Sequence, residues 1–300
     1  MIWGIFAGFS TALINTAGYL FSARFLMYYK NPVRLLVMSS FLMMLISIPF
    51  MLWLCPFSMI RSPWMYMGEV VLSGILFLIG QGGFFAALRY FEASRISSLL
   101  GLKIVVLSVI FIAAGGTLNW MQTAAVAVAA AAGFIFNKAG SSSASWRGWV
   151  LIFTTLVCYS LVDIVETDLV AKLTSYGGGT PLFCSFAVVT MVYTILGVLT
   201  LPALFILKPD GRQMLEGAPY AILWLASQVL LFVCFLNLKP VFGNVILATR
   251  GIFSVLAGLL LPYMGMAALD SNIPMRLWVR RIIAALMMIG AIALYSFGSM

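Results

Sequence analysis

Stretches of about twenty apolar residues recur along the whole of this 300-residue chain, parted only by short breakers carrying Pro, Gly or charge. Twenty residues is the length a helix needs to cross roughly 30 Å of hydrocarbon. The composition agrees, since 63% of the residues are hydrophobic and only 8% charged, too few to cover the surface of a soluble domain. The expected fold class is an all-α membrane protein with the bilayer as its solvent.

Reading apolar runs between breakers predicts ten transmembrane helices: Ile2–Phe21, Val33–Leu54, Trp64–Tyr90, Ile96–Gly115, Trp120–Asn137, Trp149–Thr167, Pro181–Leu207, Pro219–Leu238, Phe242–Met264 and Leu277–Phe297. No basic n-region precedes Ile2, so the first run reads as a retained span rather than a signal peptide. Loops this short join sequential antiparallel helices. The most polar connection, KAGSSSAS, divides the chain into residues 1–139, a linker at 140–147, and residues 148–300.

Several function classes fall away. The net charge of +9 includes no basic tract, which argues against nucleic acid. Cys55, Cys158, Cys184 and Cys234 lack metal spacing and read as small buried hydrophobes. Histidine is absent, which removes the commonest metal ligand and general base. Gly177-Gly178-Gly179 lacks the lysine of a phosphate loop and reads as a flexible connection. No cofactor or metal is expected.

The two halves match each other. A shift of 147 places Glu69 on Glu216, Gln81 on Gln228, Lys103 on Arg250 and Arg61 on Lys208; a shift of 148 places Asn15 on Asp163 and Arg24 on Lys172. Gly133 meets Gly290 at a shift of 157. Five spans per half make the second copy insert upside down, giving two inverted five-helix repeats whose corresponding polar residues meet near the midplane.

The stretch Phe84–Phe136, opening FFAALRYFEASRISSLLGLKIVVLSVIF, and its counterpart Leu230–Leu260, containing FGNVILATRGIFSVLAGLL, resemble the drug/metabolite transporter superfamily and its ten-helix EamA-type members. In that pattern an aromatic-rich helix ends in A-L-x-Y, a short A-S turn follows, and a small-residue helix comes next. The resemblance covers essentially the whole chain and implies a bacterial inner-membrane transporter. Two departures mark this sequence: Leu102-Lys103-Ile104 replaces the family's L-E-P, and Gly115-Gly116-Thr117-Leu118-Asn119 replaces its G-E-R turn. Sugar-phosphate carriers of the same superfamily use basic residues in the corresponding helices.

Charge within a spanning helix costs about 2.5–3.5 kcal/mol on insertion scales, which makes each such residue a functional candidate. Lys103 falls about seven residues into its span, roughly 10 Å deep at 1.5 Å per residue, and Arg250 at a similar depth. Together they would hold a phosphate or carboxylate, Arg250 as a bidentate fork and Lys103 as a mobile point charge. A structural reading instead pairs them with a carboxylate of the bundle, Asp163 first. Asp163 and Glu166, three apart, share a helical face and are candidates for carrying a coupling proton, although Glu166 falls near the predicted helix end. Asn15, Tyr19, Gln81, Tyr159, Trp224, Gln228 and Asn244 are further candidates for a substrate cavity, with Asn237 behind them. Glu69 and Glu216 read as first-turn acids favoured by the helix dipole, and Asp168 with Lys172 as a solvated i,i+4 pair.

Twelve basic residues (Arg24, Lys30, Arg34, Arg89, Arg95, Lys138, Arg147, Lys208, Arg212, Arg276, Arg280 and Arg281) fall on one side of this topology, against Arg61, Lys172 and Lys239 on the other. The positive-inside rule then puts both termini outside the cytoplasm, whereas the resembled family more often keeps them inside. The expected function is secondary transport of a small, anionic metabolite by alternating access, driven by a proton or by exchange with a counter-substrate, and no enzymatic activity. The competing expectation is an intramembrane enzyme or translocase acting on a lipid or prenyl phosphate, with Asp163, Glu166 and Asp168 binding magnesium.

Overall fold

The computed structural model describes residues 2–54, 64–91, 96, 99–138, 145–176, 179–247, 249–251, 253, 256 and 275–298. Cys55, Arg61, Arg95, Gly177, Gly178, the linker centre at 140–144 and most of the Phe242–Met264 span beyond Leu247 lie outside the described residues. So do the side chains of Lys138, Arg276 and Arg281.

Every regular element among the described residues is helical. They are α1 (Ile2–Tyr29), α2 (Pro32–Leu54), α3 (Trp64–Ala87), a 3-10 turn at Leu100–Leu102 leading into α4 (Lys103–Ala113), α5 (Trp120–Lys138), α6 (Trp146–Ser175), α7 (Pro181–Leu207), α8 (Gly211–Leu247) and α9 (Met275–Gly298). Six of these, α1, α2, α3, α6, α7 and α8, are long and apolar enough to cross a membrane. The chain is an all-helical, multi-pass membrane protein.

Local chemistry sets the helix ends. Asn31 accepts from Arg34 N (3.0 Å) at the start of α2, and Thr180 accepts from Phe183 N (3.3 Å) at the start of α7, each followed by a proline whose missing N–H costs nothing in a first turn. Lys30 and Lys208 stop α1 and α7 in the left-handed region, at φ 50° and 41°. Lys239 (φ 64°) kinks α8 just ahead of Pro240, so α8 is two helices, 211–238 and 240–247. That kink falls where the sequence separates two predicted spans.

Several helices outrun their apolar cores. Helix α6 continues to Ser175, eight residues past the predicted end at Thr167, so Glu166 lies well inside it. Helix α8 begins at Gly211 rather than Pro219, and Glu216 is its sixth residue, as Glu69 is of α3. Neither acid sits in a first turn, which corrects the dipole reading: Glu69 accepts from Lys172 and Glu216 from Arg212.

Helices pair as α1 with α8, α2 with α7, α3 with α6 and α5 with α9. The α3–α6 approach is close because Gly80 and Gly83 leave room: a Cβ on them would lie 2.9 Å from the Tyr159 ring and 2.7 Å from Thr155 Oγ1. Thr155 Oγ1 donates to Gly80 O across that contact (3.0 Å). Most buried apolar side chains form one core through α1–α3 and α6–α8, and a second joins α4, α5, α9 and the end of α8.

Candidate functional site

Lys103 is the first α-helical residue after the 3-10 turn, and its chain runs into the bundle to place Nζ 2.6 Å from Asp163 Oδ2. Both side chains are buried. The carboxylate also accepts from Asn244 Nδ2 at 2.8 Å, beyond the α8 kink, and the ammonium lies 5.6 Å from the centre of the Tyr159 ring. A single acid thus ties α6 to α4 and α8, with its charge matched and Oδ2 taking both contacts.

Arg250 approaches from the other half. Its Nη1 donates to Tyr19 OH (3.4 Å), its guanidinium lies 6.0 Å from the Tyr19 ring centre, and its carbonyl accepts from Thr16 Oγ1 (3.3 Å). Each cation follows a tightened backbone turn: Lys103 N bonds Leu100 O, and Thr249 N bonds Ile246 O just before Arg250.

Between them lies a small cavity lined by Asn15, Tyr19, Phe77, Lys103, Tyr159, Val162, Asp163, Trp224, Gln228, Leu231, Leu247 and Arg250. Its free volume of about 20 Å³ holds about one water. The predicted candidates Lys103, Arg250, Asn15, Tyr19, Tyr159, Trp224, Gln228 and Asp163 therefore share one internal space, and Asn244 reaches it through Asp163. Lys103 and Asp163 stand as the ion pair that the structural reading anticipates, yet they also face the cavity.

Gln81 is brought beside this space as a strut. It receives the Tyr159 hydroxyl on its carbonyl oxygen and donates to Tyr220 OH, joining α3, α6 and α8. Asn15 is held by Ser227 Oγ at 2.6 Å. Glu166 is buried one turn beyond Asp163 and has neither an ion pair nor a hydrogen bond among the described residues. Asn237 is exposed and donates to Val233 O, away from the site. Asp168 pairs with Lys172 at 2.7 Å, as its spacing predicts, and the same Lys172 reaches Glu69 of α3 at 2.5 Å, which spacing alone does not reveal.

Sequence reasoning missed Phe77, Tyr193, Tyr220 and Ser227. Phe77 and Trp224 face each other with ring centres 5.7 Å apart, and Trp224 Nε1 donates to Tyr193 OH at 2.6 Å. One signal was available: the shift of 147 that relates the two glutamines also carries Phe77 onto Trp224.

No family model matches the chain, and no curated protein matches it in sequence. Among solved structures, one described only as "Crystal structure of protein" superposes with a TM-score of 0.62 at 18% identity, over 98% of this chain and 96% of that one. The likeness extends to the fold alone.

Proposed function

We propose that this protein is a secondary transporter of the drug/metabolite transporter type, with ten spans in two inverted five-helix repeats that rock about the central cavity. The observation that carries this reading is the lining of that cavity. Asn15 with Asp163, Phe77 with Trp224, and Lys103 with Arg250 are three pairs related by the internal shift, and all six residues line it. Exchanging each span for the one five places later also maps the α1–α8 contact onto α3–α6 and leaves α2–α7 as its own image. A pseudo-twofold axis through the cavity accounts for both facts.

The solute is a small metabolite bearing a phosphate or carboxylate. Lys103 and Arg250 both line the space, so an anion that takes Lys103 from Asp163 also meets the Arg250 guanidinium. Room for one water is too little for such a solute, so binding requires the Lys103–Asp163 pair to open. Of the two acids, Glu166 is the better proton carrier. Asp163 already has a cation and an amide, whereas Glu166 has no ion pair or hydrogen bond among the described residues to hold its charge in place.

Uptake into proteoliposomes, screened with anionic, zwitterionic and cationic metabolites, tests the assignment. Lys103→Ala and Arg250→Ala should each lower anion uptake at least tenfold in protein that still elutes as a folded species. Normal anion transport by both would refute the cationic site. Glu166→Gln should abolish uptake driven by a pH gradient while sparing exchange; if Asp163→Asn alone does so, the proton belongs to Asp163. The enzyme reading needs Asp163, Glu166 and Asp168 to converge, but Asp168 points to Lys172 at the exposed end of α6.

A further inference from the structure

The internal shift that relates Lys103 to Arg250 relates two further sets of charges, Glu69 to Glu216 and Lys172 to Arg24. Between α3 and α6 one member of each set meets the other: Lys172 Nζ lies 2.5 Å from Glu69 Oε1. Exchanging α3–α6 for α8–α1 turns that bridge into a contact between Arg24 and Glu216. The structure does not make it. No ion pair joins Arg24 to Glu216, and the two instead line a cavity of about 200 Å³ between α1 and α8, with Phe21, Phe25, Leu215 and Pro219 as its other walls.

The closed bridge and the open one lie at opposite ends of the bundle. Arg89, just past α3, donates to Lys30 O at the end of α1 (3.2 Å), so α3 finishes on the Arg24 face and starts, with Glu69, on the other. Helices α1 and α8 part toward the open end. A Cβ on Gly4 or Gly8 would lie 2.7 Å from Asn237 Cβ and 2.8 Å from the Ile246 side chain, whereas one on Gly18 would come no nearer than 3.8 Å to Tyr220 and Leu223. Each end also holds a spare partner on a single helix. Lys172 binds Asp168 at 2.7 Å, and Glu216 accepts from Arg212 at 3.3 Å, both at i,i+4. Glu69 is 32% exposed and Arg24 is exposed, so neither cross-helix bridge strands a buried charge when it opens.

We propose that Lys172–Glu69 and Arg24–Glu216 are reciprocal ionic latches of the transport cycle, the first closed and the second open in this structure. The proposal rests on the transporter reading above. As the two halves rock, α1 and α8 close on the 200 Å³ cavity, Arg24 meets Glu216, and Lys172 releases Glu69 while keeping Asp168. All four are positioning residues: they bias which end of the bundle is shut and touch no solute. A latch released in every cycle must be weak, which suits partly exposed pairs with a second partner at hand.

Spin labels test this on the full chain in proteoliposomes, with the four native cysteines changed to alanine. Tyr28→Cys with Gly211→Cys reports the α1–α8 end, and Met65→Cys with Tyr176→Cys the α3–α6 end; all four positions are exposed and leave the latch charges intact. Electron paramagnetic resonance should give a short and a long distance for each labelled pair. Glu69→Gln should raise the short population of the 28–211 pair and lower that of the 65–176 pair, by up to about fivefold, the scale of one partly exposed ion pair. Arg24→Gln should shift both pairs the opposite way, and Arg24→Lys should keep the wild-type balance. If each variant moves only the labels at its own end, or moves neither pair, the latches are overturned while a rocking bundle stands. A single fixed distance for both pairs in every variant overturns the rocking bundle and the latches together.

Discussion

Helix α6 carries an ion pair at each of two depths, and the two differ in everything but their chemistry. In the bundle, Lys103 and Asp163 meet at 2.6 Å with side chains 7% and 4% exposed. Two turns on, Lys172 binds Glu69 and Asp168 with exposures of 42%, 32% and 59%. The outer cluster keeps part of its hydration and can be rearranged at little cost. The inner pair has given up its water, and two well-packed hydrophobes would serve stability as well or better. A bundle that needed only to hold together has no use for charge at positions 103 and 163. The proposed function gives it one: an anionic solute neutralised in transit.

The inner pair offers the strongest way to break this contrast. Lys103→Met strands the Asp163 carboxylate and should destabilise the fold by about 3–5 kcal/mol, read from unfolding in detergent micelles. Adding Asp163→Leu to it should recover most of that loss while leaving uptake dead. If the single variant is as stable as wild type, water reaches the pair, and the distinction between the two depths collapses.

The twin glutamines sharpen the contrast between support and site. Gln81 is held between two tyrosine hydroxyls, whereas Gln228 lines the cavity. Gln81→Leu leaves both hydroxyls without their partner and should cost about 2 kcal/mol of stability, with a modest change in KM for uptake. Gln228→Leu should do the reverse, raising KM several-fold in protein of near-normal stability. Equal effects at both positions would mean that the repeat places its glutamines in one role.

What the sequence disclosed follows from where lipid is intolerant. Lys103, Asp163 and Arg250 stand out because charge in hydrocarbon is rare, and the spacing of Asp163 and Glu166 already puts them on one face. Lysines at the helix junctions 30, 208 and 239 likewise mark real breaks. The misreadings arose where a helix leaves the hydrocarbon. Nothing in hydropathy tells a helix that ends at Thr167 from one that runs on through the interface to Ser175, so Glu166 looked terminal and the reach of Lys172 to Glu69 went unseen. The aromatic cage was illegible for another reason: with 23 Phe and 11 Tyr in the chain, Phe77, Tyr193 and Tyr220 carry no local mark, and only the internal repeat picks out the first.

The smallest expected effect lies at the outer cluster. Lys172→Ala removes both of its contacts, but Glu69 and Asp168 keep enough exposure to take water in place of the ammonium, so neither charge is stranded. Its unfolding midpoint should fall by less than that of Gln81→Leu, and the difference from wild type should shrink as salt is raised to about 0.5 M, where screening lengths are only a few ångströms. Lys103→Met should show no such salt response, because ions do not enter the bundle. A salt-independent loss at Lys172 as large as that at Lys103 would mean that the α3–α6 contact, rather than the cavity, is what these charges serve.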